Sequence, residues 1–80
     1  MPKISPISYR ILACIFELAG FRKVREEGDH LIFTRSDLLR PLVIPKYKSI
    51  PVFIIRNNLR TSGMTRDRYF ELFTQCSQPA

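Results

Sequence analysis

The chain has little of the chemistry from which metal sites and disulfide frameworks are built. It contains one histidine, His30, and two cysteines, Cys14 and Cys76, which most of the sequence separates. A structural zinc site needs several Cys or His ligands at short spacing, and no CxxC motif is present. We therefore expect no metal and no cofactor, and two free thiols in a reducing compartment rather than a disulfide.

Long hydrophobic segments are missing as well. The longest uninterrupted apolar run, residues 11–16, is far too short to cross a membrane. The opening MPKISPIS contains no apolar stretch of the kind that secretory signals have. The sequence therefore predicts a cytoplasmic protein without a membrane partner.

The length of the chain sets a further limit. With 80 residues it can form one small domain, in which most apolar side chains are needed for a single core. Little room remains for a deep pocket that could hold a small-molecule cofactor. We predict one domain over residues 1–80, with a frayed tail from about residue 74.

Positive charge is what the sequence has in excess. Thirteen Lys and Arg residues against seven Asp and Glu residues give a net charge of +6 and an isoelectric point near 9.9. The nine arginines and four lysines are spread through the chain without an unbroken basic run. This distribution is typical of a folded protein that binds nucleic acid or another anionic surface, although a merely soluble basic protein would show it too.

The first segment predicts a helix. Ser5 is suited to the N-cap and Pro6 to the first helical position. Apolar residues then recur between positions 7 and 19 at spacings of three and four, which is the pattern of an amphipathic helix. Gly20 is expected to end the helix as the residue after its C-cap.

Three antiparallel strands are predicted next, over residues 21–26, 30–35 and 41–44. Strict alternation in the first strand puts Lys23 and Arg25 on the same face. Gly28 and Asp29 form the tight turn before the second strand, because both residue types tolerate a left-handed backbone.

The orientation of the second strand decides what His30 faces. Leu31 and Phe33 share one face of this strand, and His30 and Ile32 share the other. If Leu31 and Phe33 pack under helices, His30 faces the open side of the sheet. Ile32 is then either exposed or covered by a partner.

Two helices are predicted after the strands. A basic linker, KYKSI, precedes a helix that begins at Pro51, ends at Gly63 and has a buried stripe of Val52, Ile55 and Leu59. Thr65 caps a third helix. The order α-β-β-β-α-α predicts a small α+β fold with helices on one face of a three-stranded antiparallel sheet, as in double-stranded-RNA-binding domains.

Most of the chain also follows the pattern of a known family. The matching pieces are GFRKVREEGDHLIF at residues 20–33, IPKYKSIP at residues 44–51 and IIRNNLRTSGMTRDRYFELF at residues 54–73. In this order they resemble the HicA-type toxins, which are the YcfA-like mRNA interferases of HicA/HicB toxin-antitoxin pairs. The resemblance implies a metal-independent endoribonuclease that cleaves mRNA and is neutralised by a HicB-like antitoxin.

The chain departs from that family pattern at three places. Asp29 replaces the serine before the histidine, and Tyr47 replaces a second histidine that is common in the linker. Phe53 and Ile54 stand where the second helix usually opens with glycine and threonine. The first two departures bear on the active site, because losing a second imidazole leaves half of an acid/base pair.

The chemistry of RNA cleavage can be matched to residues of this chain. Attack by the RNA's own 2'-hydroxyl needs a base, an acid and cations near the phosphate, but no metal. Histidine is the residue type suited to proton transfer near neutral pH, so His30 is the candidate catalytic residue, with Gly28 and Asp29 as the supporting turn. The candidates for RNA binding are Lys23, Arg25, Lys46, Tyr47, Lys48, Arg56 and Arg60.

Other interpretations of these residues stay open. A lone histidine at a hairpin end is commonly a solvated polar residue, and Arg56 and Arg60 suit an ordinary solvated helix surface. Tyr47 can simply cover the edge of the core. The alternative function is a noncatalytic RNA-binding module that kept the fold and lost turnover, and a third class is an adaptor that binds protein without RNA.

Overall fold

The computed structural model describes residues 3–77 as a three-stranded sheet with helices on one of its faces. The elements are α1 (Tyr9–Leu18), β1 (Arg22–Glu27), β2 (His30–Thr34), β3 (Leu42–Pro45), α2 (Val52–Ser62) and α3 (Arg66–Ser77). The strands are antiparallel and lie in the order β1-β2-β3. The predicted order of elements and the α+β class are therefore confirmed.

Helix α1 begins later than the sequence predicts. Its N-cap is Ser8, whose Oγ accepts a hydrogen bond from the Ile11 amide at 3.4 Å, and not Ser5. The reason is that the chain before Ser8 is extended: Ile7 forms an isolated antiparallel bridge with Ile50, and the Ile50 amide donates to the Ile7 carbonyl at 2.7 Å. Ile7 therefore pairs with the linker that precedes α2, and the residues before Ser8 do not add a turn to the helix.

Strand β1 contains a bulge that breaks its alternation. Lys23 is paired with Phe33 but Arg25 is paired with Ile32, so the register shifts at Val24. One extra residue on β1 reverses which side chains share a face beyond it. The prediction that Lys23 and Arg25 lie on the same face was therefore wrong.

The hydrophobic core lies between the sheet and the helices. Leu31 and Phe33 of β2 belong to it, together with Leu42 and Ile44 of β3. The other fully buried large side chains are Leu12, Ile15, Phe16, Ile50, Ile55 and Tyr69. Because β2 alternates, His30 and Ile32 face the open side of the sheet, as the sequence indicates.

Ile32 differs from its expected environment. It faces the open side of the sheet but is only 7% exposed, without any partner chain. It lies on the central strand, between Arg25 of β1 and Val43 of β3 in the register. Flanking side chains on both neighbouring strands are enough to bury it, and the aliphatic stem of an arginine is well suited to this.

Helices α2 and α3 follow the sequence prediction closely. Pro51 is the N-cap of α2, and Gly63 ends it in the left-handed conformation with φ of 72°. Thr65 caps α3, since its Oγ1 accepts a hydrogen bond from the Arg68 amide at 3.1 Å. Residues 74–77, which were expected to be frayed, form the last turn of α3, while residues 78–80 lie outside the described part of the chain.

The prediction of two free thiols was wrong. Cys14 of α1 and Cys76 of α3 form a disulfide, with their Cα atoms 5.9 Å apart. Cys76 was placed in a frayed tail, but α3 continues past it and packs against α1, which brings the two side chains together. The same helix is held in place by its core residues Tyr69 and Leu72. Burial raises the pKa of the Tyr69 phenol to about 12.

Candidate functional site

His30 is the first residue of β2 and its side chain is exposed at the end of the β1–β2 hairpin. In the register it lies between Glu27 of β1 and Pro45 of β3. Within residues 3–77 its imidazole makes no hydrogen bond or ion pair, so it is open to a ligand from the solvent side. The two-residue turn of Gly28 and Asp29, with Gly28 at φ of 55°, sets this position.

The open face of the sheet combines charge with apolar surface. On β1 the regular pairing next to the turn places Arg25 and Glu27 on the same face as His30, and the bulge at Val24 adds Arg22 at the far end of the strand. Arg25 Nε lies 2.6 Å from Glu27 Oε2. Along the strand, Arg25 is two residue pairs from His30, or about 7 Å. Phosphate and a reacting sugar could occupy such a span together.

Glu26 draws two of the predicted RNA-binding lysines to the other face of the hairpin. It is paired with the core residue Leu31 in the register, so it faces away from His30. Its carboxylate accepts a hydrogen bond from Lys46 Nζ at 2.9 Å and lies 3.7 Å from Lys23 Nζ. Lys23 and Lys46 are therefore not on the side of the sheet that His30 faces.

The same contacts shift two pKa values. The hydrogen bond from Lys46, and next its positive charge, lower the pKa of Glu26. The hydrogen bond to Glu26, and next its negative charge, raise the pKa of Lys46. Both groups stay charged near neutral pH, so each lysine reaches a phosphate only by leaving the carboxylate.

The linker between β3 and α2 is held by backbone hydrogen bonds at its first two residues. The Lys46 amide donates to the Asp29 carbonyl at 2.6 Å, and the Tyr9 amide donates to the Tyr47 carbonyl at 3.1 Å. The Tyr47 side chain is 46% exposed and Lys48 is exposed. These two side chains are available to a ligand, and Lys48 has no ion pair within residues 3–77.

Arg56 and Arg60 belong to a different surface. They lie on the exposed side of α2, where they line a groove with Phe53 and Asn57. Because α2 packs on the covered side of the sheet, this groove is separate from the open face that carries His30. The predicted RNA-binding residues therefore form four groups, which are Arg25, Lys23 with Lys46, Tyr47 with Lys48, and Arg56 with Arg60. Only Arg25 shares the face of His30.

Sequence reasoning missed two residues of the open face, for different reasons. Glu27 could have been found, because a two-residue turn makes residues 27 and 30 direct neighbours across the hairpin. Arg22 could not, since its place on this face depends on the bulge at Val24.

Neither a metal centre nor a membrane-spanning helix is found in the described residues. No group of three His, Cys, Asp or Glu side chains there could hold a metal ion. None of the helices within residues 3–77 is long and apolar enough to cross a membrane. Comparison with protein-family models and with curated protein sequences gives no match to this chain.

Proposed function

We propose that this protein is a metal-independent endoribonuclease of the HicA type, the toxin of a toxin-antitoxin pair, and that His30 is its catalytic residue. The observation that carries the proposal is the exposed His30 side chain beside Glu27 and Arg25 on the open face of the sheet. An imidazole, a carboxylate and a guanidinium can supply the acid, the base and the positive charge that cleavage of RNA by its own 2'-hydroxyl requires.

The reaction can be written with these groups alone. The 2'-oxygen attacks phosphorus and gives up its proton to a base, while the bond from phosphorus to the 5'-oxygen breaks and that oxygen receives a proton from an acid. The products are a 2',3'-cyclic phosphate and a 5'-hydroxyl. His30 and Glu27 supply the acid and the base, so Glu27 replaces the second histidine that is missing from the linker. Arg25 meets the charge that develops on the phosphate.

Cleavage of a defined single-stranded RNA in the presence of a chelator tests the proposal. His30→Ala should lower the cleavage rate about 10²- to 10⁴-fold, which is the range that a general acid or base contributes. Glu27→Gln should remove one limb of the pH–rate profile. A 2'-deoxy strand of the same sequence should stay intact, because it lacks the attacking hydroxyl.

The controls separate catalysis from folding. Each variant should keep the circular dichroism spectrum of the wild type, because His30 and Glu27 are exposed. Cleavage that persists in purified His30→Ala protein, or that needs a divalent metal, would contradict the proposed mechanism.

A noncatalytic RNA-binding module is the second candidate function. It is favoured by Tyr47, which stands in place of the second linker histidine, and by the ion pair of Glu27 with Arg25, which occupies the proposed acid/base partner. It predicts that wild type and His30→Ala bind RNA equally and that neither cleaves it. The same assay therefore decides between the two candidates.

The proposed partner is a HicB-like antitoxin that covers His30 and the open face. Its binding should protect this face from labelling and stop cleavage. If the gene beside this one encodes such a protein, adding its purified product to the cleavage assay should inhibit the reaction. A neighbour that binds without inhibiting would argue against the toxin pair.

A substrate of mRNA also implies a cytoplasmic location, and the disulfide bears on this point. Cytoplasmic reductants keep most cysteine pairs reduced, whereas Cys14 and Cys76 form a bond in the structure. Alkylating the protein in intact cells before extraction would measure the state of these cysteines. A fully bonded pair would contradict the cytoplasmic location.

A further inference from the structure

The exposed side of α2 presents one aromatic ring and two arginines in a single row. Phe53, Arg56, Asn57 and Arg60 follow the spacing i, i+3, i+4, i+7, which places them on one helical face. Phe53 is 72% exposed, although phenylalanine is among the residue types most often buried. The row is about 10 Å long, from a rise of about 1.5 Å per residue.

The arginines of this row are not occupied by acidic residues. Between Asp37 and Asp67 the chain has no aspartate or glutamate at all. Within residues 3–77 neither Arg56 nor Arg60 has an ion pair, in contrast to Arg25 of the hairpin and Lys46 of the linker. The row therefore keeps its full positive charge for a ligand.

A neighbouring loop extends the row. A second groove, lined by residues 37–40 together with Asn57, Arg60 and Thr61, shares Asn57 and Arg60 with the first. It adds Arg40, which is exposed and has no ion pair within residues 3–77. The two grooves form one continuous track along α2, and Asp37, a carboxylate among its lining residues, is paired with Arg35.

We propose that this track is a binding platform for single-stranded RNA, in which a base stacks on Phe53 and the phosphates that follow it bind Arg56, Arg60 and Arg40. Aromatic rings beside a basic groove are the general means of holding single strands without reading their sequence. The inference deepens the proposed function, on which it rests for the identity of the ligand.

The pattern favours RNA over an acidic protein helix. A groove for an amphipathic helix needs a continuous apolar floor with anchors one turn apart. Phe53 and Leu39 are the exposed apolar residues here and line different grooves, Val52 and Ile54 are half-buried, and the polar side chains of Asn57 and Arg60 line both grooves. Isolated apolar points that alternate with cations match bases and phosphates better.

The platform also relates to the open face through the chain path. β3 ends at Pro45, which pairs with His30. The linker follows, and α2 then begins with Phe53 in its first turn. Tyr47 and Lys48 lie on this path and are exposed. A strand that is cut at His30 could pass over the linker and continue along α2.

Binding is best measured apart from cleavage, with the full chain and a fluorescently labelled 2'-O-methyl RNA, which cannot attack its own phosphates. We expect Phe53→Ala to weaken binding about tenfold, as loss of one stacked base does elsewhere. Arg56→Gln and Arg60→Gln should each lower the slope of log affinity against log salt by about 0.7. The matched controls are Leu18→Ala, an exposed apolar residue of α1, and Arg68→Gln of α3.

A second variant reports on stacking directly. The chain contains no tryptophan, so Phe53→Trp introduces a single indole that should keep the affinity and lose fluorescence when RNA binds. Leu18→Trp should show no such quenching. Unchanged affinity in Phe53→Ala together with unquenched Phe53→Trp would overturn the platform, as would a Phe53→Trp signal that responds only to an acidic peptide.

The outcomes distinguish the platform from the proposed function. If wild type does not cut unmodified RNA but Phe53→Ala still loses affinity, the catalytic proposal fails and the platform stands. If wild type cuts RNA and none of the α2 variants changes its affinity, the platform fails and the catalytic proposal stands.

Discussion

The β1–β2 hairpin and the helical layer are stabilised by different kinds of interaction. All six residues of β1 are exposed, and the side chains of the hairpin are tied by ion pairs to Glu26 and Glu27. Helices α1 and α3 instead share buried residues and a disulfide. Strand β2 belongs to both regions, because its Leu31 and Phe33 are core residues while His30, its first residue, pairs with the exposed Glu27 of β1. The unpaired arginines of α2 lie on the helical layer.

This difference shows that the net charge of a protein does not measure how much of that charge is available to a ligand. Arg25, Lys23 and Lys46 contribute to the net charge of +6 as much as Arg56 does, but each of the first three has a carboxylate within 4 Å. Surface ion pairs of this kind are exchangeable, since salt and ligands compete for them. The cations around the hairpin are therefore available to a ligand only when it displaces a carboxylate, whereas Arg56 and Arg60 of α2 are available without such an exchange.

Removing the disulfide should have the largest effect, and it should act on the helical layer. The bond closes a loop across a sequence separation of 62, so Cys14→Ala/Cys76→Ala should lose about 4 kcal/mol of unfolding free energy in urea. Amides of β1 should exchange with solvent at unchanged rates, because they open locally. If the loss is under about 1 kcal/mol, or if β1 exchange accelerates equally, the two regions are not independent.

Two glycines offer a matched comparison of the regions. Gly28 of the hairpin and Gly63 after α2 both have positive φ, and a Cβ added to either would meet no atom within 4 Å. Alanine at either position should cost about 1 kcal/mol through backbone strain alone. Gly63→Ala should lower global stability by the full amount, whereas Gly28→Ala should first accelerate exchange in the hairpin. Asparagine at each position should cost less than alanine.

Neutralising Glu26 should make the positive charge near the hairpin available to a ligand, as it is on α2. Glu26→Gln releases Lys23 and Lys46 from their shared carboxylate, so RNA affinity at low salt should rise. The slope of log affinity against log salt should steepen by about 0.7 for each lysine that reaches a phosphate. Glu71→Gln, which releases Arg68 on α3, is the control and should leave the slope unchanged. A Glu26→Gln protein with wild-type affinity would mean that these lysines do not meet RNA.

Lowering the pH should cause the smallest change in folding stability, and it should act through the exposed ion pairs. The pKa of Glu26 is lower in the folded chain than its ordinary value of 4.5, and a hydrogen bond from Arg35 lowers the pKa of Asp37 likewise. Their stabilisation is complete above the ordinary pKa and is lost as the pH falls through the lowered one. The small difference in urea midpoint between wild type and Glu26→Gln at neutral pH should therefore shrink once the pH falls below 4.5.

Local signals in the sequence account for most of the fold. Gly28 with Asp29, Gly63 and Thr65 each act within a few residues, so the turn, the end of α2 and the cap of α3 were predicted correctly. Ser5 was wrongly chosen over Ser8 because Ile7 pairs with Ile50, a contact between distant parts of the chain. The bulge at Val24 and the disulfide likewise depend on tertiary packing, which periodicity does not encode.

The candidate site was likewise predictable only where local patterns determine the position of a residue. The position of His30 on the open face follows from alternation in β2, since Leu31 and Phe33 are core residues. Its companions follow only in part: regular pairing from the turn places Glu27 and Arg25 beside it, whereas the bulge at Val24 moves Lys23 to the other face and brings Arg22 to this one. The identity of a candidate residue was therefore easier to predict than its neighbours.

The disulfide between α1 and α3 also determines how the molecule would respond to mechanical tension. A pull applied to residues before Cys14 and after Cys76 would pass through the sulfur bridge and bypass the whole chain between them. The sheet, the linker and α2 all lie inside that covalent ring. Dragging the oxidised protein through a narrow pore, such as that of an unfolding protease, would therefore require either reduction of the bond or passage of a doubled chain.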